Sequence, residues 1–347
     1  MTNIWWITEK CLSLCQTINN AMLIDEIKTH VVSVDIRLET TTIAIVDIRG
    51  NIMATAQFPT LDFQEVGDYL AVLSDAILDL LDKNGGFERI RSIGISVPSG
   101  NFYTGCIENS PNFPWKGVVP MAAMLRDRIG LAVALGNNSH AAAMGEWAFG
   151  SAHGMRNFVL LTMESGLGSC IVSNGKVCNG ADGFAGEIGH TCIVPEGRLC
   201  GCGKQGCMEA YLTIRGIYKT AKEVLAESDK PSLLRQVDTV SIKAIVAFCE
   251  QNDELALETL RRTGKILGLG LANYASILNP EAFVFTDDLK TLSRWILPSA
   301  YETFQEHVFR NIADKVKFVV SSIDDETRSL LGASVLAWDV KEYSLFK

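Results

Sequence analysis

The segment 186–211, GEIGHTCIVPEGRLCGCGKQGCMEAY, restricts the fold more than any other stretch of this chain. It offers one imidazole, His190, and three thiols, Cys200, Cys202 and Cys207, within a short run. One nitrogen and three sulfurs make a closed tetrahedral Cys3His zinc site, which leaves no position for a metal-bound water and so marks a structural metal. Gly201, Gly203 and Gly206 let the backbone wrap tightly around such an ion. A reduced, metal-free Cys-rich loop would carry the same letters, but ligand count and spacing favour zinc. The remaining cysteines, Cys11, Cys15, Cys106, Cys170, Cys178, Cys192 and Cys249, are scattered and are expected as buried thiols.

At 347 residues the chain suits two domains. A net charge of −9 argues against a nucleic-acid-binding surface, because neutralising phosphates takes clustered Lys and Arg. No apolar run reaches membrane-spanning length. Glu9 and Lys10 interrupt the apolar stretch of the first residues, so these do not read as a secretion signal, and a cytoplasmic location is expected.

Residues 31–36 and 42–47 are β-rich and a turn at 48–51 leads to a third run, which predicts an antiparallel meander. Val66, Tyr69, Leu70, Leu73, Ile77, Leu80 and Leu81 share one helical face, closed by Asn84-Gly85-Gly86. A strand at 92–97 follows. The pattern then recurs: strand 131–135, a helix 140–149 capped by Asn137-Asn138-Ser139, and a hairpin from 158–163 and 170–177. Helices are expected at about 211–227, 240–251, 254–278, 289–312 and 325–339, with strands at 281–285 and 316–321. The reading gives an N-terminal extension at 1–30, an α/β lobe at 31–136 onto which a closing helix at about 325–347 packs back, and a second α/β lobe at 137–324 carrying the zinc motif.

Gly186–His190 followed by Cys200–Glu209 resembles the signature of the ROK family (repressors, open reading frames and kinases), in particular its bacterial glucokinase-like members. Pro98-Ser99-Gly100, Ser110–Trp115, Asn137 with Ala141–Glu146, Gly183-Phe184-Ala185 and Leu331–Ser334 extend the resemblance over about 31–340. It implies a two-lobed, duplicated actin/hexokinase-like (ribonuclease H-like) α/β fold, a homodimer, and a cleft that binds an aldohexose or N-acetylhexosamine. Asn137, Glu187, His190 and Glu209 match the family's sugar-contacting positions, with Gly100 and Asn101 as weaker candidates. Carboxylates and amides pair well with hydroxyls, which both donate and accept, although solvated glutamates are the plain alternative. His190 would hold zinc with one ring nitrogen and turn the other to the sugar.

The resemblance fails where a kinase handles ATP and Mg2+. Asn138 stands where the family's general-base Asp is expected, and an amide cannot take the proton, which forfeits ~10²- to 10⁴-fold in rate. His140 is a remote substitute, expected instead as a surface or capping residue. The first phosphate loop reads Asp35-Ile36-Arg37-Leu38-Glu39, without the glycines that admit a phosphate. The second reads Glu164-Ser165-Gly166-Leu167-Gly168, and Asp287-Asp288 replaces a Gly-Gly pair on the adenine side. The expected function is therefore a sugar-binding, kinase-impaired sensor or regulator. The alternatives are an active hexokinase, in which acidic residues such as Asp287, Asp288, Glu164 and Glu39 gather Mg2+, a regulator without its own helix-turn-helix, and a fold whose cleft is dead.

Overall fold

The computed structural model describes residues 28–110 and 113–340. Positions 1–27, where the extension is expected, fall outside the described residues, as do Pro111 and Asn112. The chain divides into two compact units: one runs to Ala141 and resumes at Ser329, the other is Ala142–Arg328.

The first unit is built on five strands, β1 (His30–Ile36), β2 (Thr40–Asp47), β3 (Ile52–Pro59), β4 (Ile90–Val97) and β8 (Val133–Asn137), in the order β3-β2-β1-β4-β8. β1, β2 and β3 form the expected antiparallel meander, while β4 and β8 continue the sheet in parallel. Val31–Ile36 are all buried, as a central strand covered on both faces requires. β3 alternates between half-buried and exposed positions, as an edge strand does. Helix α1 (Val66–Lys83) buries the predicted face, Tyr69, Leu70, Leu73, Ile77, Leu80 and Leu81. Strands β5 (Gly100–Asn101), β6 (Cys106–Glu108) and β7 (Val118–Val119) make a small second sheet before α2 (Met121–Ile129). Gly130, with φ of 80°, ends α2, so the next strand starts two residues later than its apolar run suggests.

The second unit repeats the strand order. β9 (Phe158–Met163), β10 (Leu167–Ser173), β11 (Lys176–Val177), β12 (Ala282–Phe285) and β13 (Lys317–Val320) lie in the order β11-β10-β9-β12-β13, again antiparallel on one side and parallel on the other. The helices are α3 (Asn138–Phe149), which spans the division between the units, α4 (Glu209–Leu212), α5 (Ile214–Ala226), α6 (Ile242–Glu250), α7 (Glu254–Leu278) and α8 (Asp287–His307). The single helix expected over 211–227 is two, because Thr213 is extended and caps α5 by accepting from the Gly216 N–H. α8 stops at His307 rather than 312: Val308 turns extended and buries its side chain. α7 and α8 pack closely, since a Cβ on Gly264 would lie 2.3 Å from Ile296 O and one on Gly268 2.2 Å from Ala300 O. No helix among the described residues is long and apolar enough to cross a membrane.

The final helix, α9 (Asp325–Asp339), lies against the first sheet through Ser329 and beyond: Ser92 Oγ donates to Ala337 O at 2.6 Å. The contact is so close at Gly94 that a Cβ there would meet Ala333 O at 1.9 Å. Gly94→Ala should therefore lose about 2–3 kcal/mol of stability by overpacking, read as a lower denaturation midpoint. An unchanged midpoint would show that α9 does not press on β4.

Candidate metal centre and ligand-binding residues

Local turns bring the four metal-ligand candidates together in the second unit. Gly203 N–H bonds to Cys200 O and Cys200 N–H to Lys204 O, which folds 200–204 into a tight loop. Ile193 N–H donates to Gly206 O and Met208 N–H to Thr191 O, which ties that loop back beside His190. The ligand atoms of His190, Cys200, Cys202 and Cys207 consequently all lie within 4.8 Å of one another. Tetrahedral zinc, with Zn–S about 2.3 Å and Zn–N about 2.0 Å, would separate two sulfurs by about 3.8 Å and sulfur from nitrogen by about 3.5 Å. Cys202 Sγ and Cys207 Sγ are 3.7 Å apart, and Cys200 Sγ is 3.7 Å from His190 Nδ1. The donor set fits a closed tetrahedral ion.

A bound cation would alter the protonation of these thiols. Burial pushes the Cys200 thiol up to about 12 and raises Cys207 as well, while Cys202 falls to about 7, chiefly through the Lys204 backbone N–H. Holding three thiolates side by side near neutrality needs a compensating positive charge. The sequence did not flag the scaffold around this cluster. Arg198 stacks on the Tyr211 ring at 4.5 Å and donates to Gly216 O at 2.8 Å and Glu223 Oε2 at 2.7 Å, which clamps the loop to α5. Of the scattered cysteines among the described residues, Cys106, Cys170 and Cys249 are buried as expected. Cys178 and Cys192 are not: both are exposed, because short turns rather than core strands carry them.

Glu209 joins this cluster to the Glu164–Gly168 segment. Its Oε1 lies 3.9 Å from His190 Nδ1, and its Oε2 accepts the Leu167 N–H at 3.1 Å. Glu164 and Ser165 are exposed in the bend between β9 and β10, Gly166 packs on Glu209, and Gly168 is already a strand residue opposite Thr162. Glu187, next to the cluster, is exposed.

Asp287 and Asp288 open α8, but they are not equivalent. Asp287 adopts the left-handed conformation, φ 53°, which Asp tolerates. Its Oδ1 accepts from Arg328 Nη2 at 2.7 Å, and Asp325 Oδ1 accepts from the same Nη2 at 2.7 Å. Arg328 is only 2% exposed, and a buried charge of this kind would cost several kcal/mol without its partners. Burial, then the Asp287 and Asp325 charges, pushes Asp288 up to about 6.

In the first unit Asp35 is buried and accepts from Arg37 Nε at 2.7 Å. Burial raises its pKa and the Arg37 charge opposes the rise. Gly100 serves the backbone: a Cβ there would sit 2.8 Å from Gly136 O, so β5 passes directly over the end of β8. The Asn101 side chain is buried and accepts the Tyr103 N–H at 2.9 Å. Asn137 Oδ1 accepts the Ser139 N–H at 2.9 Å, which makes it the cap of α3, and Asn138 is the first helical residue. His140 departs from the surface role expected of it. It is buried, and burial lowers its pKa.

The sequence model of the ROK family matches residues 31–340. The chain belongs to the ROK family. The glucokinase of Halalkalibacterium halodurans is 30% identical to this ROK protein over 321 residues, covering 90% of this chain and 94% of that one. A ROK family transcriptional regulator, a homolog of the E. coli MLC protein, superposes with a TM-score of 0.78 at 26% identity over 88% of this chain and 77% of its own. A ROK family glucokinase from Streptomyces griseus, in complex with glucose and AMPPNP, gives 0.70 at 26% identity over 90% of this chain and 100% of its own. This chain therefore has the mixed-sheet α/β fold of ROK sugar kinases and regulators alike.

Metal analysis tests the donor set directly. About one zinc per chain is expected, and Cys207→Ser should purify with metal near background and unfold at lower temperature. Equal metal content in both proteins would remove the cluster from the account.

Proposed function

We propose that this ROK protein binds a hexose or N-acetylhexosamine as a sensor or regulator, with its kinase chemistry impaired and a structural zinc bracing the sugar side. The observation that carries the proposal is a contrast in how carboxylates are used. Glu209 stays beside His190 with Oε1 clear of any arginine, accepting there from Cys200 Sγ at 3.5 Å. Asp35 and Asp287, at the positions the resemblance gives to phosphate and adenine, are each committed to an arginine of the chain, Arg37 and Arg328.

With Nδ1 turned to the metal, His190 carries its proton on Nε2 and can donate to a hydroxyl, while Glu209 and Glu187 accept. The metal supplies orientation alone, because four protein ligands fill its coordination. The reading assigns Gly100, Asn101 and Asn137 to the sugar as well, Gly100 and Asn101 by shaping a loop rather than by offering free polar groups. Mg2+ and ATP do not fit the residues present. A guanidinium occupies the Asp35 carboxylate, Arg328 occupies Asp287, and Asn138 brings no base. The Mg2+-gathering alternative loses Asp287 as a ligand for the same reason.

The second reading, an active hexokinase of glucokinase type, draws on the H. halodurans and S. griseus glucokinases. The third, a regulator without its own DNA-binding element, draws on the regulator structure. A homodimer in the cytoplasm suits all three.

Calorimetric titration with glucose, N-acetylglucosamine and N-acetylmannosamine should find saturable binding of at least one, reduced at least tenfold, about 1.4 kcal/mol, in Glu209→Gln. A coupled ADP-release assay over the same sugars should stay below ~1 s⁻¹, and Asn138→Asp alone should not raise it. Wild-type turnover above that level would replace the proposal by the second reading. No binding of any sugar would sink both.

A further inference from the structure

Cys192 is a fourth sulfur at the metal cluster, and it belongs to none of the four ligand positions. It pairs with Cys207 in an isolated antiparallel bridge. The two flanking bonds, Ile193 N–H to Gly206 O at 2.8 Å and Met208 N–H to Thr191 O at 3.1 Å, identify the type of pair. They run from the neighbours of Cys192 and Cys207 and not from these residues themselves, which is the pattern of a non-hydrogen-bonded pair. Such pairs hold their Cα atoms at about 4.5 Å with both side chains on one face. Disulfides span Cα distances of roughly 4.4–6.8 Å, so side-chain rotation alone can join the two. The sulfur of Cys192 already rests against this segment, 3.0 Å from where a Cβ on Gly206 would lie. Cys192 is exposed and Cys207 is buried.

We propose that Cys192 and Cys207 form an oxidation site, in which a hydroperoxide converts the pair to a disulfide and the metal is expelled. The order follows from who holds each sulfur. Cys200, Cys202 and Cys207 are occupied by the metal, whereas Cys192 is exposed and unheld. The Cys192 thiolate attacks the peroxide: an S–O bond forms, the O–O bond breaks, and the hydroxide or alkoxide that leaves takes a proton from solvent to become water or alcohol. The Cys207 thiolate then attacks the sulfenic sulfur of Cys192, the S–S bond forms, and hydroxide leaves to become water. Two thiols are oxidised and one peroxide is reduced. With Cys207 removed from its coordination, the metal keeps three ligands and dissociates, and His190 loses the bond that orients it. The loss of sugar affinity that follows rests on the proposed function; the disulfide and the metal release do not.

Zinc-loaded full-length protein is treated with stoichiometric hydrogen peroxide, and zinc release is followed with a colorimetric chelator. Trypsin cuts after Lys176, Arg198, Lys204 and Arg215, which leaves Cys178 with Cys192, Cys200 with Cys202, and Cys207 alone. Fragmentation between residues 178 and 192 assigns the bridging sulfur. Non-reducing mass spectrometry should find peptide 177–198 joined to 205–215 through Cys192, appearing together with one equivalent of released zinc. Cys192→Ser should load zinc as the wild type does and keep it under the same treatment. A link between 199–204 and 205–215 in place of the expected one would overturn the proposal, as would zinc release from Cys192→Ser at the wild-type rate. Zinc content before oxidation reports separately on the metal reading, and sugar titration of the reduced protein reports on the functional one.

Discussion

Four ligand atoms that converge within 4.8 Å set the geometry of the whole 186–211 segment. Ile188 and Met208 anchor the two ends of that run in the core, but the loop between them has little apolar burial of its own: Cys202 is exposed and the turn is rich in glycine. A metal held by these four side chains would tie that loop together. Once His190 Nδ1 is fixed to that point, Glu209 falls beside it, and through the Leu167 N–H it holds the bend between β9 and β10. A coordination sphere at that point would thereby position His190, Glu209 and the Glu164–Gly168 bend together.

The two arginine pairs work in the opposite sense. In an interior of low dielectric, burial favours the protonated form of a carboxylate, a neighbouring guanidinium opposes that, and the pair is committed to itself. Asp35 with Arg37 and Asp287 with Arg328 are committed in this way, each within its own unit. Asp288 shows the other outcome, its pKa pushed up to about 6 by burial and by like charges. At Asp35 and Asp287 a guanidinium stands where a divalent cation would have to bind.

Periodicity made the fold legible. The apolar face of α1, the span of α7 and the runs of β1, β4, β9 and β12 could be read directly from local pattern and end signals. Breaks within helices could not: Thr213 looks helical by composition, and only its cap on Gly216 divides the segment. The metal cluster was plain because its ligands lie close in sequence. Arg328 was hidden, because its partner Asp287 lies 41 positions away and a buried arginine leaves no local sign. Cys192 was misread as a core thiol for a related reason, its partner being identified by backbone pairing and not by spacing.

The central claim is that Asp35 and Asp287, at two positions the resemblance gives to nucleotide, are held by the chain's own arginines, while Glu209 beside His190 is not. Calorimetric titration of the sugar-saturated, zinc-loaded protein with AMPPNP and Mg2+ tests it most directly. The account predicts no saturable heat below ~1 mM nucleotide. A micromolar dissociation constant, lost on removing Mg2+, would contradict it.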